Sequence, residues 1–274
     1  LIGTLPLAAC GDDDIDTVNT GEPTALVVEF AGAVGSEEFD CSRSYGGIGT
    51  TGSTIEPLDF RFYVTAVQLL TTDGSAYDVE LDDDGLWQNG QVALVDFEDG
   101  SGTCANGTPA TNRFVRGTAP KLRYTGIRFE LGVPRALNHE DASSAASPLN
   151  LTALFWSWNA GYKFLRADSR TAGLPAFNVH LGSTGCQTTG RTTTCVRSNR
   201  PLVELDGFDP DTSVVVADLA ALLAGSNVDA NQADTAPGCM SGPTDPECNP
   251  VFERLGLDLT SGSPSAGQTF FRLR

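Results

Sequence analysis

The segment Leu58-Asp59-Phe60-Arg61-Phe62-Tyr63-Val64-Thr65-Ala66-Val67-Gln68-Leu69 begins with a period-two alternation and is rich in aromatic and β-branched residues. Successive side chains of an extended chain point to opposite faces, so this segment reads as a strand. Thr72-Asp73-Gly74-Ser75 follows as a turn, and Tyr77 to Leu81 reads as the return strand. Further strands are expected at residues 25–31, 91–97, 121–133, 177–181, 202–205, 213–217, 256–259 and 269–273. Helical signals are few. Ser147 to Phe155 has a capping serine and Pro148 in the first turn, and Asp218 to Gly225 has a cap, good helix formers and a terminal glycine. The expected fold is therefore all-β: an antiparallel sandwich or distorted barrel with long loops and few short helices.

The first 24 residues have a different character. Leu7-Ala8-Ala9-Cys10-Gly11 resembles a lipobox, with small apolar residues before a cysteine that would carry a lipid. Residues 1–24 are expected to be the remnant of a signal peptide, the lipidated Cys10 and a flexible acidic tether, followed by one β-rich domain over 25–274. Gly11-Asp12-Asp13-Asp14 and the residues up to Pro23 hold too few apolar groups to offset the entropy of ordering. The expected location is the bacterial cell envelope, periplasmic or anchored to the outer membrane, with membrane contact only through the lipid.

Six cysteines remain: Cys41, Cys104, Cys186, Cys195, Cys239 and Cys248. An even number in an exported chain implies three disulfides, with fifteen possible connectivities. Cys186–Cys195 and Cys239–Cys248 span loops rich in turn residues, which leaves Cys41–Cys104 as the long-range pair. A thiolate metal cluster would more often show C-x-x-C spacing, which is missing here.

Charge is unevenly distributed. Residues 1–100 contain twenty Asp/Glu and two Arg, so the whole net charge of −18 lies there. Such a surface does not attract nucleic acid or an anionic membrane; it solubilises the chain or steers a basic partner.

The only two histidines, His139 and His180, flank Trp156-Ser157-Trp158. Neutral imidazoles bind borderline and soft first-row metals, and the thioether of Met240, the only methionine, suits Cu(I). Rare donors around an oxidisable indole pair point to a copper site with His139, His180 and Met240 as candidate ligands. A lone histidine is more often a structural hydrogen-bonder, and Met240 has an ordinary role as a partly buried apolar side chain. Asp82-Asp83-Asp84-Gly85 and Asp229 to Asp234 offer oxygen ligands for Ca²⁺ but do not fit the EF-hand register. G-x-S-x-G, H-E-x-x-H, a phosphate-cradling glycine loop and C-x-x-C-H are all missing, so the chain is expected not to be an enzyme.

Several blocks together carry a family resemblance: Asp96-Phe97-Glu98-Asp99-Gly100, Gly132-Val133-Pro134 through Leu137-Asn138-His139, Ser147-Pro148-Leu149-Asn150-Leu151, Trp156-Ser157-Trp158 with Gly161-Tyr162-Lys163-Phe164, and His180-Leu181-Gly182-Ser183-Thr184-Gly185-Cys186. In these the chain resembles the MbnP-like copper-binding proteins, the four-Cys partner of a metallo-mystery pair. The resemblance implies an exported, mainly β Cu(I)-binding protein. It also implies a di-haem partner of the MauG/cytochrome c peroxidase superfamily. That partner would oxidise Trp156 to kynurenine, with Trp158 as its neighbour, and copper binding would depend on the change. His139 and His180 fall where metal-site residues are expected. The chain is expected to be monomeric and to act in copper storage, sequestration or delivery. The alternative is a surface lipoprotein β-sandwich that binds carbohydrate or protein through Trp156 and Trp158.

Overall fold

The computed structural model describes residues 21–105, 107–157 and 160–274. Cys10, the proposed tether up to Thr20, and Trp158 lie outside the described residues. The strands form two large sheets. In the first, Phe271–Leu273, Val214–Asp218, Pro23–Val34, Phe114–Pro120 and Glu80–Leu81 lie side by side in that order. The second runs Leu202–Asp206, Gly126–Leu131, Ser53–Leu70, Leu165–Thr171, Phe177–Leu181 and Gly238–Cys239. The all-β expectation holds, and the ladders are antiparallel apart from two. Pro23–Val34 runs parallel to Val214–Asp218, and Phe177–Leu181 runs parallel to Gly238–Cys239.

The strand Ser53–Leu70 organises the second sheet. Its alternation separates two chemistries. Phe60 and Phe62 enter an aromatic cluster between the sheets, where Phe62 meets Phe30, Phe97, Phe270 and Phe271. The edge-to-face packing favoured by ring quadrupoles dominates there, as in Phe30 against Phe129 at 5.7 Å and 77°. Asp59, Arg61 and Tyr63 take the opposite face, and all three are buried as well. That second face is covered by the chain between Pro134 and Phe164. Tyr63 donates to Pro148 O at 3.1 Å and Tyr162 donates to Leu149 O at 2.7 Å, which fastens this cover to the sheet.

Four local expectations need correction. Residues 147–155 form only a short 3₁₀ turn, Thr152–Leu154, before a strand begins at Phe155. The carbonyls of Pro148 and Leu149 accept from the two tyrosines instead of from a following helical turn. Tyr77 to Leu81 is two strands: Ala76–Asp78 pairs with Ser53–Leu70, whereas Glu80–Leu81 crosses to Phe114–Pro120 in the other sheet. Residues 256–259 are no strand. Gly256, at φ +68°, ends the helix Cys248–Arg254: Leu257 N bonds Phe252 O and Gly256 N bonds Glu253 O, a Schellman closure. The 121–133 segment is a strand only over Gly126–Leu131. The helix at Leu219–Leu223 forms as expected, with Asp218 Oδ1 accepting from Ala220 N and Ala221 N.

All three disulfides pair as the spacing suggests: Cys41–Cys104, Cys186–Cys195 and Cys239–Cys248. The second joins directly opposed residues of a hairpin, Thr184–Thr189 with Thr192–Arg197. The third ties the strand Gly238–Cys239 to the helix Cys248–Arg254. No described helix is long and apolar enough to cross a membrane.

Candidate metal centre on the outer sheet face

His180 sits near the end of the strand Phe177–Leu181, paired with Arg166 across the ladder. It is only 6% exposed. Its Nε2 lies 2.8 Å from Asp168 Oδ1, a contact distance that is off hydrogen-bond alignment. Its Nδ1 is buried without a hydrogen-bond partner among the described residues. A buried polar atom left this way costs about 1–3 kcal/mol unless something binds it.

Trp156, half-buried on the short strand Phe155–Ser157, brings its ring to 6.2 Å from the His180 ring, centroid to centroid. Gly182 permits this approach. A Cβ there would stand 2.5 Å from Trp156 Cζ3 and 2.7 Å from Tyr162 O. The first glycine of the His180–Cys186 block therefore has a steric reason for its identity.

Met240 follows the strand Gly238–Cys239. The parallel register pairs Asn178 with Gly238 and Val179 with Cys239, and its continuation sets the Met240 backbone alongside His180. Ser241 fixes that arrangement: its Oγ donates to His180 O at 2.9 Å and accepts from Gly182 N at 3.1 Å.

His139 occupies a neighbouring position. It lines a pocket of about 270 Å³ with Arg135, Asn138, Ser183, Cys195 and Arg200. Its Nε2 is 3.2 Å from Asn138 Nδ2 and 3.3 Å from Cys195 Sγ. His139, Cys186 and Cys195 cluster within 4.8 Å, but both sulfurs are bound in the disulfide and offer no thiolate. Asn138 links the two regions: its Oδ1 accepts from Tyr162 N at 3.2 Å, and Tyr162 O is the atom that crowds position 182. Both histidines are thus held by residues that touch the same Tyr162–Gly182 junction.

Beneath this site lies a layer of buried charge that pattern reading missed. Arg166 Nε donates to Asp168 Oδ2 at 2.7 Å, and its Nη1 lies 3.1 Å from Asp59 Oδ2. Asp59 is held by Arg61, whose Nη2 also lies 3.8 Å from Glu98 Oε2. Burial opposes the Asp168 carboxylate, but His180 and Arg166 outweigh it and hold the group below the usual carboxylate range. Burial pushes Asp96 up to about 7, with Asp59 and Glu98 adding to the rise and only partly opposed by Arg61 and the Glu98 N–H. Glu98 is raised for the same reason. The signal was present in the sequence: two charged residues, Asp59 and Arg61, alternate with phenylalanines in a strand covered on both faces.

The oxygen-rich acidic segments are turns. Asp84 Oδ1 accepts from the backbone N–H groups of Leu86, Trp87 and Gln88. Asp229 accepts from the hydroxyls of Thr51 and Ser53 and from Gly173 N. Both carboxylates serve internal hydrogen bonds.

Fold and site together define a disulfide-stapled, two-sheet β protein with a histidine–tryptophan centre under a loop cover on one outer sheet face. The chain belongs to the MbnP family, whose model matches residues 23–241. Its structure is similar to that of MbnP from Methylosinus trichosporium, with a TM-score of 0.83 and 29% identity over 92% of this chain and 98% of that one. No curated protein matches the sequence. The four-Cys pattern that the resemblance implied is not what the described residues show: they hold three disulfides.

Proposed function

We propose that the protein is an exported Cu(I)-binding protein of copper homeostasis, acting by binding and release and not by turnover. The observation that carries this reading is the buried, unpartnered Nδ1 of His180 beside Trp156, in a chain of the MbnP family. Bound Cu(I) would supply a soft centre that accepts few, neutral nitrogen and sulfur donors. The residues fit such an ion: His180 would hold it through Nδ1, Met240 lies on the adjoining backbone, and His139 is the second imidazole. In the same reading, Trp156 is oxidised to kynurenine by a di-haem partner of the MauG/cytochrome c peroxidase superfamily. Opening the indole ring would change shape and polarity next to His180 and introduce an aniline nitrogen and a ketone. The carbohydrate-platform alternative loses ground, because the Trp156 ring packs against Gly182 and His180. We place the protein in the cell envelope, anchored through Cys10 and monomeric.

The test is a Cu(I) competition titration on protein exported together with the di-haem partner, alongside a His139→Ala/His180→Ala variant. Tight one-to-one binding lost in the variant is expected. Mass analysis of the Trp156 peptide reports the oxidation separately. Equal, weak binding in both proteins would overturn the copper assignment.

A further inference from the structure

We propose that Asp168 is a positioning residue for His180: its carboxylate keeps the proton on Nε2 and so leaves the Nδ1 lone pair free to bind a metal. This inference rests on the copper-site reading above, but its first consequence concerns the metal-free protein.

The register places the groups. Arg166 stands opposite His180, and Asp168 lies two residues further along the same strand, on the same face. Asp168 Oδ1 is 2.8 Å from His180 Nε2. A neutral imidazole carries one N–H and one lone pair. An ionised carboxylate only accepts, so the nitrogen facing it must be the donor; a lone pair at that distance would be repelled. The contact is off hydrogen-bond alignment as it stands, but at 2.8 Å the negative charge of Oδ1 still favours an N–H over a lone pair on the facing nitrogen. The other tautomer would aim its Nε2 lone pair at Oδ1 and close Nδ1 with a proton.

The carboxylate cannot turn away. Its second oxygen is held by Arg166 Nε at 2.7 Å. Arg166 is anchored in turn on Asp59, Asp59 on Arg61, and Arg61 lies 3.8 Å from Glu98. A chain of alternating charge therefore runs from the Asp96–Gly100 segment to the imidazole. This gives that segment, one of the blocks that set the family pattern, a physical role: it closes the far end of the network that orients His180. Partners that orient a metal-binding histidine in this manner typically contribute 10–100-fold to metal affinity.

The variant Asp168→Asn makes the idea sharp. Arg166 Nε still demands an acceptor, so the amide oxygen stays on the arginine and the amide N–H₂ faces Nε2. Nε2 must then accept, and the proton moves to Nδ1. The experiment is ¹⁵N-labelled, copper-free protein examined by long-range ¹H–¹⁵N imidazole correlations, paired with Cu(I) competition. We expect the Nε2–H form in the wild type and the Nδ1–H form in Asp168→Asn, with Cu(I) affinity lower by about 10–100-fold. A purely structural role would leave the tautomer unchanged. The Nδ1–H form in the wild type, or an Nε2–H form that persists in a folded Asp168→Asn variant, would overturn the proposal. Should the variant not fold, the wild-type tautomer alone decides. If His180→Ala binds Cu(I) as tightly as the wild type, the copper reading fails while the tautomer result stands by itself.

Discussion

The indole of Trp156 lies 6.2 Å from the imidazole of His180, with the ring planes at 56°. Neither residue belongs to the main aromatic core. The contact forms on the far side of the second sheet, because Gly182 lets the indole edge approach the backbone that follows His180.

Gly182→Ala is therefore expected to separate the two rings. The added methyl would stand 2.5 Å from Trp156 Cζ3 and 2.7 Å from a backbone carbonyl, neither of which yields easily. Overpacking of this kind costs about 1–3 kcal/mol. Denaturant titration should show the loss, and Trp156 fluorescence should shift. An unchanged spectrum with unchanged stability would mean that the glycine is not needed for the contact.

Asp96 gives the protein a pH-dependent weakness. Its folded-state value is raised to about 7, against about 3.9 in an unfolded chain. Between those values the folded state binds more protons than the unfolded one, so this group's contribution to stability falls as pH rises from about 4 to about 7. Asp96→Asn should match the wild type in acid and exceed it at pH 8 by roughly 1–3 kcal/mol, given 1.36 kcal/mol per unit at most. The check is a set of urea midpoints across that range. A gap that narrows as pH rises would reverse the sign and sink the argument.

The Cys186→Ser/Cys195→Ser variant should lose about 2–3 kcal/mol, the amount expected from freeing a short loop in the unfolded chain. The core should survive, since the hairpin lies outside it and keeps its backbone ladder. His139, 3.3 Å from Cys195 Sγ, should report the change in its NMR signals while those of His180 stay in place. Equal movement of both would show that the two histidines form one rigid unit.

Phe62→Ala should be among the most damaging single changes, at about 3–5 kcal/mol. Phe62 is fully buried and meets rings of the facing sheet, Phe30 and Phe271. The midpoint should drop at nearly constant denaturant slope. A loss below about 1 kcal/mol would mean that the surrounding rings collapse into the space.

Much of the fold was legible in the chain. The alternation of Leu58–Leu69 and the β-branched run of Ser213–Ala217 declare themselves in the sequence, and nine-residue cysteine spacings across turn residues pair locally. The capped helix after Asp218 is written in consecutive residues. Two central strands were not legible. Leu165–Thr171 is rich in Arg, Asp and Ser, and its polar face is buried only because a loop covers it. Phe114–Pro120 contains Gly117, a residue unusual inside a strand, whose missing side chain admits the neighbouring strand at Glu80.

The same division runs through the site. Sequence alone determined the rare residues: two histidines, one methionine and the tryptophan pair, together with a β framework able to hold them. It could not say which of them meet, because register between strands distant in sequence is decided by packing. Tertiary structure set Trp156 and the Met240 backbone beside His180, and placed His139 at the hairpin disulfide. It also buried Asp168, Arg166, Asp59 and Arg61 beneath the site. Charged residues in a sequence read as surface. They become a network only when a cover excludes water and each charge finds its partner across the sheet.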